Sequence, residues 1–205
     1  MASSMDGHVA VLASGGGTNL QALLDDPAVG PHVALVVSDR ADAHALQRAR
    51  ARGVETAHHD PAAFPSREDH DAALVALLAA YDVDVVVLAG YMRLVGPAVI
   101  DAFPDRVVNV HPALLPAFPG THAVADALAY RAKVTGVTVH LVDEGVDTGP
   151  VILQEAVEIR DDDDQGSLEA RVHDVEHRLL PRAVRALREG RVLREGRHVR
   201  IREER

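Results

Sequence analysis

The chain has 205 residues, 47% apolar and 25% charged, no cysteine, and a formal charge of 21 − 31 = −10. A chain of this length buries roughly 70% of its extended surface on folding, enough for one domain without a disulfide or a structural metal. Charge and cysteine count together exclude a non-specific grip on phosphate backbones, a disulfide framework, a zinc finger, an iron–sulfur centre and a thiol nucleophile.

Residues 1–7 carry no basic stretch and no apolar core, so they are expected to be a disordered N-terminus and not a signal peptide. No apolar run approaches the roughly 20 residues that span a bilayer, and the expectation is a soluble cytoplasmic chain. Valine-rich runs at 8–13, 32–38, 83–88 and 107–110 read as buried strands of a mostly parallel sheet. Helix-period segments lie between them at 20–24, 43–50, 67–80 and 97–102. Ser66 with Asp69 forms a capping-box-like start for the third. This alternation predicts an α/β fold, a doubly wound mostly parallel sheet. The runs 134–142 and 151–159 alternate more clearly and suit an antiparallel C-terminal extension. Residues 161–164 read as a solvated acidic loop, 167–188 as a long helix kinked at Pro181, and the arginine-rich end from Arg191 as a short edge hairpin. No repeat or linker interrupts residues 1–205, which are expected to form one domain.

The first strand runs into Ser14-Gly15-Gly16-Gly17-Thr18-Asn19, and a helix follows at once. Glycines let backbone N–H groups approach an anion, and a helix N-terminus adds its positive dipole end. A tight turn needing positive φ would explain the same glycines. A dinucleotide fingerprint fails because its last glycine would fall at Leu20. A P-loop fails because no Lys-Ser/Thr follows, Lys133 being the one lysine of the chain. A cradle this short suits a monophosphate.

Asn109-Val110-His111-Pro112 closes the strand that begins at Val107. Strand carboxyl ends face the ligand crevice in a doubly wound sheet, and alternation sets Asn109 and His111 on one side. An amide donor and an imidazole that converge there can hold a developing oxyanion, or can satisfy loop backbone groups. The apolar, proline-rich stretch 113–120 suits a rigid support for the pair. The segment 143–150 is either an acidic hairpin turn or a loop that sets Asp147 against His111. In the second case the carboxylate favours the charged imidazolium, a proton donor near neutral pH. His173-Asp174-Val175-Glu176-His177 departs from the zinc-protease pattern at Asp174, and His58, His59 and His70 read as surface residues.

Together these segments resemble the glycinamide ribonucleotide formyltransferase family of purine synthesis, over about residues 8–193. The resemblance is carried by Ser14-Gly15-Gly16-Gly17-Thr18-Asn19-Leu20-Gln21 and Leu88-Ala89-Gly90-Tyr91-Met92-Arg93. It continues in Asn109-Val110-His111-Pro112-Ala113-Leu114-Leu115-Pro116 and Asp147-Thr148-Gly149-Pro150-Val151. Four ordered motifs are far more specific than any one of them. The resemblance implies a formyltransferase-type Rossmann-like fold. It also implies transfer of a formyl group from 10-formyltetrahydrofolate, a co-substrate needing no metal, to the primary amine of glycinamide ribonucleotide. Asn109, His111 and Asp147 match the catalytic trio. Gly17, Thr18 and Asn19 match phosphate-binding positions, and Glu176 a ribonucleotide contact. Arg67, Met92, Arg93, Leu94 and Val95 match folate-binding positions, with Asn109 and the loop Asp143, Glu144, Gly145, Val146, Asp147. Arginine there would pair with benzoylglutamate carboxylates. The partners implied are small molecules, with no nucleic acid and no membrane, and the chain is expected to be a monomer or homodimer.

Two positions and one segment depart from the family pattern. Ala113 stands where serine is common, Val124 where some relatives carry histidine, and the arginine-rich end beyond Leu193 matches no family role. Methionyl-tRNA formyltransferase and formyltetrahydrofolate hydrolase share the trio, but the first normally adds a C-terminal domain and the second a preceding regulatory one. A non-catalytic folate- or nucleotide-binding protein on the same scaffold is the alternative of another class. A dehydrogenase, suggested by Asp39 after the second strand, lacks the third glycine.

Overall fold

The computed structural model describes residues 7–203. The disordered start expected at 1–7 lies outside these residues except for Gly7, which is buried. The apolar runs form β1 (His8–Leu12), β2 (Val33–Ser38), β4 (Val83–Leu88) and β5 (Val107–His111), with β3 (Glu55–His58) added between β2 and β4 in the chain. β6 (Val134–Leu141) and β7 (Val151–Glu158) complete one seven-stranded sheet in the order β3-β2-β1-β4-β5-β6-β7. Pairing is parallel from β3 across to β5 and antiparallel from β5 to β6 and from β6 to β7.

Both faces of the sheet are covered, which is why its strands read as unbroken apolar runs. Val9 and Val11 enter one core with α1 (Thr18–Asp25), α2 (His44–Ala51), α5 (Ala123–Ala129) and α6 (Gln165–Arg188). Ala10 and Leu12 enter the other with α3 (Arg67–Ala80) and α4 (Pro97–Ala102). The Ser66 hydroxyl caps α3, accepting the Asp69 amide at 3.0 Å. α6 buries the stripe Leu168, Val172, Val175, Leu179, Leu180, Ala183, Val184 and Leu187, and Pro181 lies inside it without ending it.

Some expectations need correction. β3 escapes sequence reading because Glu-Thr-Ala-His has no apolar run and sits at the sheet edge, where one side needs no core. The acidic run 161–164 is only partly a solvated loop. Asp164 caps α6 in a capping box with Ser167, and Asp163, its side chain 3% exposed, pairs with Arg171. The arginine-rich end does form a hairpin, β8 (Val192–Glu195) and β9 (His198–Ile201), but as a sheet of its own. His59 and His70 are not surface residues: both are buried, with ring centroids 4.2 Å apart and Phe64 beside them.

The chain winds outward from β1 to β2 and β3, then returns to place β4 on the other side of β1. β1 and β4 stay paired to their carboxyl ends, and the loops that follow them at this reversal border a crevice. Among the described residues no helix is long and apolar enough to cross a membrane.

Candidate active site

A cavity of about 500 Å³ fills that crevice. It is lined by Gly15, Gly16, Gly17, Thr18 and Asn19 after β1, by residues 88–95 after β4, and by Asn109 and His111 on β5. Asp143, Glu144, Gly145, Val146 and Asp147 close one wall, and His173 and Glu176 of α6 another. The four sequence motifs thus converge on one space. Arg67 is the exception: it does not line the cavity but braces its wall, donating from Nη2 to the Leu94 carbonyl at 3.2 Å.

The glycine loop is held from both sides. Gly17 takes φ 71°, and a Cβ there would fall 2.8 Å from the Ala45 Cα, so no other residue fits without a backbone shift. The Gly16 carbonyl accepts from Arg48 Nε at 2.8 Å, and the Ser14 hydroxyl accepts the Met92 amide at 2.9 Å. With its carbonyls occupied this way, the loop leaves the first amides of α1 for an anion. Behind them the Asn19 side-chain amide donates to Glu176 Oε2 at 2.9 Å, while Asn19 Oδ1 is buried without a partner among the described residues. Burial pushes the Glu176 carboxyl above the usual carboxylate range, although the Asn19 hydrogen bond and nearby His173 oppose it.

Asp147 is the hub of the opposite wall. It sits at φ 54° in the loop between β6 and β7, with its side chain 11% exposed. Oδ2 accepts the Gly120 amide at 2.7 Å and lies 3.4 Å from His111 Nδ1. Oδ1 lies 3.4 Å from Asn109 Nδ2 and 3.6 Å from His140 Nε2. Burial works to raise this carboxyl, but donors from His140 and Gly120 and the nearby His111 prevail and hold it below the ordinary range. His111 Nε2 donates to the Phe118 carbonyl at 2.8 Å. Both of its ring nitrogens therefore face oxygen acceptors.

His140 was not foreseen from sequence. It stands opposite Asn109 across the β5–β6 ladder, and its side chain is 3% exposed. Its Nδ1 donates to the Leu141 carbonyl at 2.8 Å, which turns Nε2 toward Asn109 Nδ2 at 3.2 Å and fixes the amide beside it. The available signal was one imidazole in a strand with no other ionisable residue. Asp39, which suggested a dehydrogenase, instead pairs with Arg93 at 2.9 Å. Among the described residues no group of three or more metal-ligating side chains is placed to hold an ion.

The chain matches the formyl transferase family model over residues 7–184. It is 49% identical over 186 residues to a phosphoribosylglycinamide formyltransferase of Mycobacterium tuberculosis, covering 90% of this chain and 86% of that one. Among solved structures it is similar to glycinamide ribonucleotide transformylase 1 from Symbiobacterium toebii, at TM-score 0.94 and 52% identity, covering 98% and 96% of the two chains. The phosphoribosylglycinamide formyltransferase from Bacillus halodurans follows at TM-score 0.84 and 45% identity, covering 88% and 94%.

Proposed function

We propose that this chain, which belongs to the formyl transferase family, transfers a formyl group from 10-formyltetrahydrofolate to the primary amine of glycinamide ribonucleotide. The chain is an enzyme of the phosphoribosylglycinamide formyltransferase kind, and formylglycinamide ribonucleotide and tetrahydrofolate are its products. The observation that carries the residue roles is the convergence of Asn109, His111 and Asp147 on the cavity that also holds the glycine loop.

The ribonucleotide phosphate takes the amides after Gly17, with Thr18 and Asn19 beside it, and Glu176 meets the sugar end. The formyl donor enters past Met92, Arg93, Leu94 and Val95 and against the loop from Asp143 to Asp147. The exposed Met92 and Leu94 side chains offer apolar surface to its rings. The amine attacks the formyl carbon, and negative charge builds on the formyl oxygen. His111 and the Asn109 amide stabilise that oxygen; the Nε2 proton now resting on the Phe118 carbonyl moves its hydrogen bond to it. Asp147 keeps His111 cationic and, through a solvent water, relays a proton from the attacking amine to the departing folate nitrogen. The carbon–nitrogen bond to folate then breaks. Residues 1–205 act as one formyltransferase domain in the cytoplasm, with small molecules as partners.

The test is release of tetrahydrofolate by the purified protein, followed by absorbance with and without glycinamide ribonucleotide. Release that depends on the acceptor is the expected result. Release without it would identify a hydrolase, and binding without release a retired enzyme.

A further inference from the structure

Arg93 and Arg67 flank the wall segment 92–95 with side chains 50% and 55% exposed. Each is tied at Nε to a carboxylate that is almost fully buried. Asp39 Oδ2 lies 2.9 Å from Arg93 Nε with its side chain 7% exposed, and Asp71 Oδ2 lies 3.7 Å from Arg67 Nε with its side chain 6% exposed. Ion pairs between two exposed chains fix nothing, because both ends move. Here the acid end of each pair is immobile. Asp71 is packed against His70 Nδ1 at 3.3 Å and against Gly96, where a Cβ would fall 2.1 Å from its Oδ2. Asp39 comes from the end of β2, 54 positions from its arginine, and its Oδ1 is buried without a partner among the described residues.

Burying a carboxylate with one oxygen unpaired costs stability, so Asp39 needs a reason other than the fold, and Asp71, buried with both oxygens engaged, holds its arginine in the same way. We infer that Asp39 and Asp71 are positioning residues for the formyl donor: Asp39 holds Arg93 of the cavity lining by its Nε edge, and Asp71 holds Arg67, which braces the wall from outside through Nη2, so that their remaining terminal nitrogens meet the donor's anionic tail where it leaves the cavity. Two fixed guanidinium groups beside the apolar Met92 and Leu94 match a ligand that ends an aromatic ring with two carboxylates. This rests on the formyl-folate reading above.

The test compares two donors, 10-formyltetrahydrofolate and the same compound lacking its glutamate, with wild type, Asp39→Asn, Asp71→Asn and Gly96→Ala. Gly96→Ala displaces Asp71 while keeping every charge, and it carries the test with Asp71→Asn if Asp39→Asn does not fold. The expected result is a KM for the complete donor raised roughly tenfold, the loss of one charge-assisted hydrogen bond. The kcat and the KM for the ribonucleotide stay unchanged, and the difference vanishes with the truncated donor. An unchanged KM, a lower KM (acids competing for the arginines), or an equal loss with both donors overturns the inference. If wild type releases tetrahydrofolate from neither donor, the formyl-folate reading itself fails.

Discussion

Asp147 and Glu176 are buried carboxylates on opposite walls of one cavity, and their surroundings drive them in opposite directions. Asp147 faces the Gly120 amide, the Asn109 amide and two imidazoles, which hold it below the ordinary carboxylate range. Glu176 has the Asn19 amide and a distant His173, and burial wins, raising it. Burial opposes ionisation in both and more strongly in Glu176, and only at Asp147 do the donors aimed at the carboxylate outweigh it. The difference also divides labour. A fixed anion suits the task of holding a cation through a reaction, whereas an acid that readily takes a proton suits hydrogen bonding to a sugar.

The largest effect expected from breaking this arrangement is at His111. His111→Ala loses about 10²–10⁴-fold in kcat, as general acid–base groups do, with an unchanged melting profile. Near-normal turnover would remove His111 from the chemistry. Asn109→Ala, which deletes one donor to the developing oxyanion, loses about 10²–10³-fold in kcat. Steady-state rates at saturating substrates check both.

Glu176→Gln acts on the other wall. It raises the KM for the ribonucleotide and leaves kcat near wild type. Its effect on stability has a definite sign. A carboxyl raised on folding contributes stability below its unfolded value and loses it as pH rises through the folded value. Replacing Glu176 thus raises Tm at pH 8 by about 2–4 °C, what about 1 kcal/mol gives in a chain of this size, and not at pH 4. Asp147 has the reverse sign: its contribution is present above the unfolded value and fades as pH falls through the folded one. Asp147→Asn therefore flattens the acid limb of the stability profile. The smallest effect is remote from both walls. Asp164→Ala removes the α6 cap and costs about 1 kcal/mol in denaturant unfolding without changing turnover.

The parts of the site that follow local rules are legible in the sequence. Positions 67–80, 83–88 and 97–102 were readable from apolar period, capping residues and an initial proline, and they bound α3, β4 and α4. Alternation along β5 already set Asn109 and His111 on one side. What sequence could not supply came from tertiary pairing. His140 enters the site through the β5–β6 register. The buried His59 and His70 depend on how α3 meets the segment beyond β3, and polar residues carry no local mark of such burial. Arg67, a folate contact by resemblance, also bonds the Leu94 carbonyl, a bracing contact that no local pattern announces.

The division between the two acids is tested most directly by measuring kcat and KM of Asp147→Asn and Glu176→Gln side by side, with both substrates varied. The account predicts a collapse of kcat, about 10²-fold or more, for Asp147→Asn alone, and a raised ribonucleotide KM with near wild-type kcat for Glu176→Gln. A collapse of kcat in Glu176→Gln with normal turnover in Asp147→Asn would contradict it.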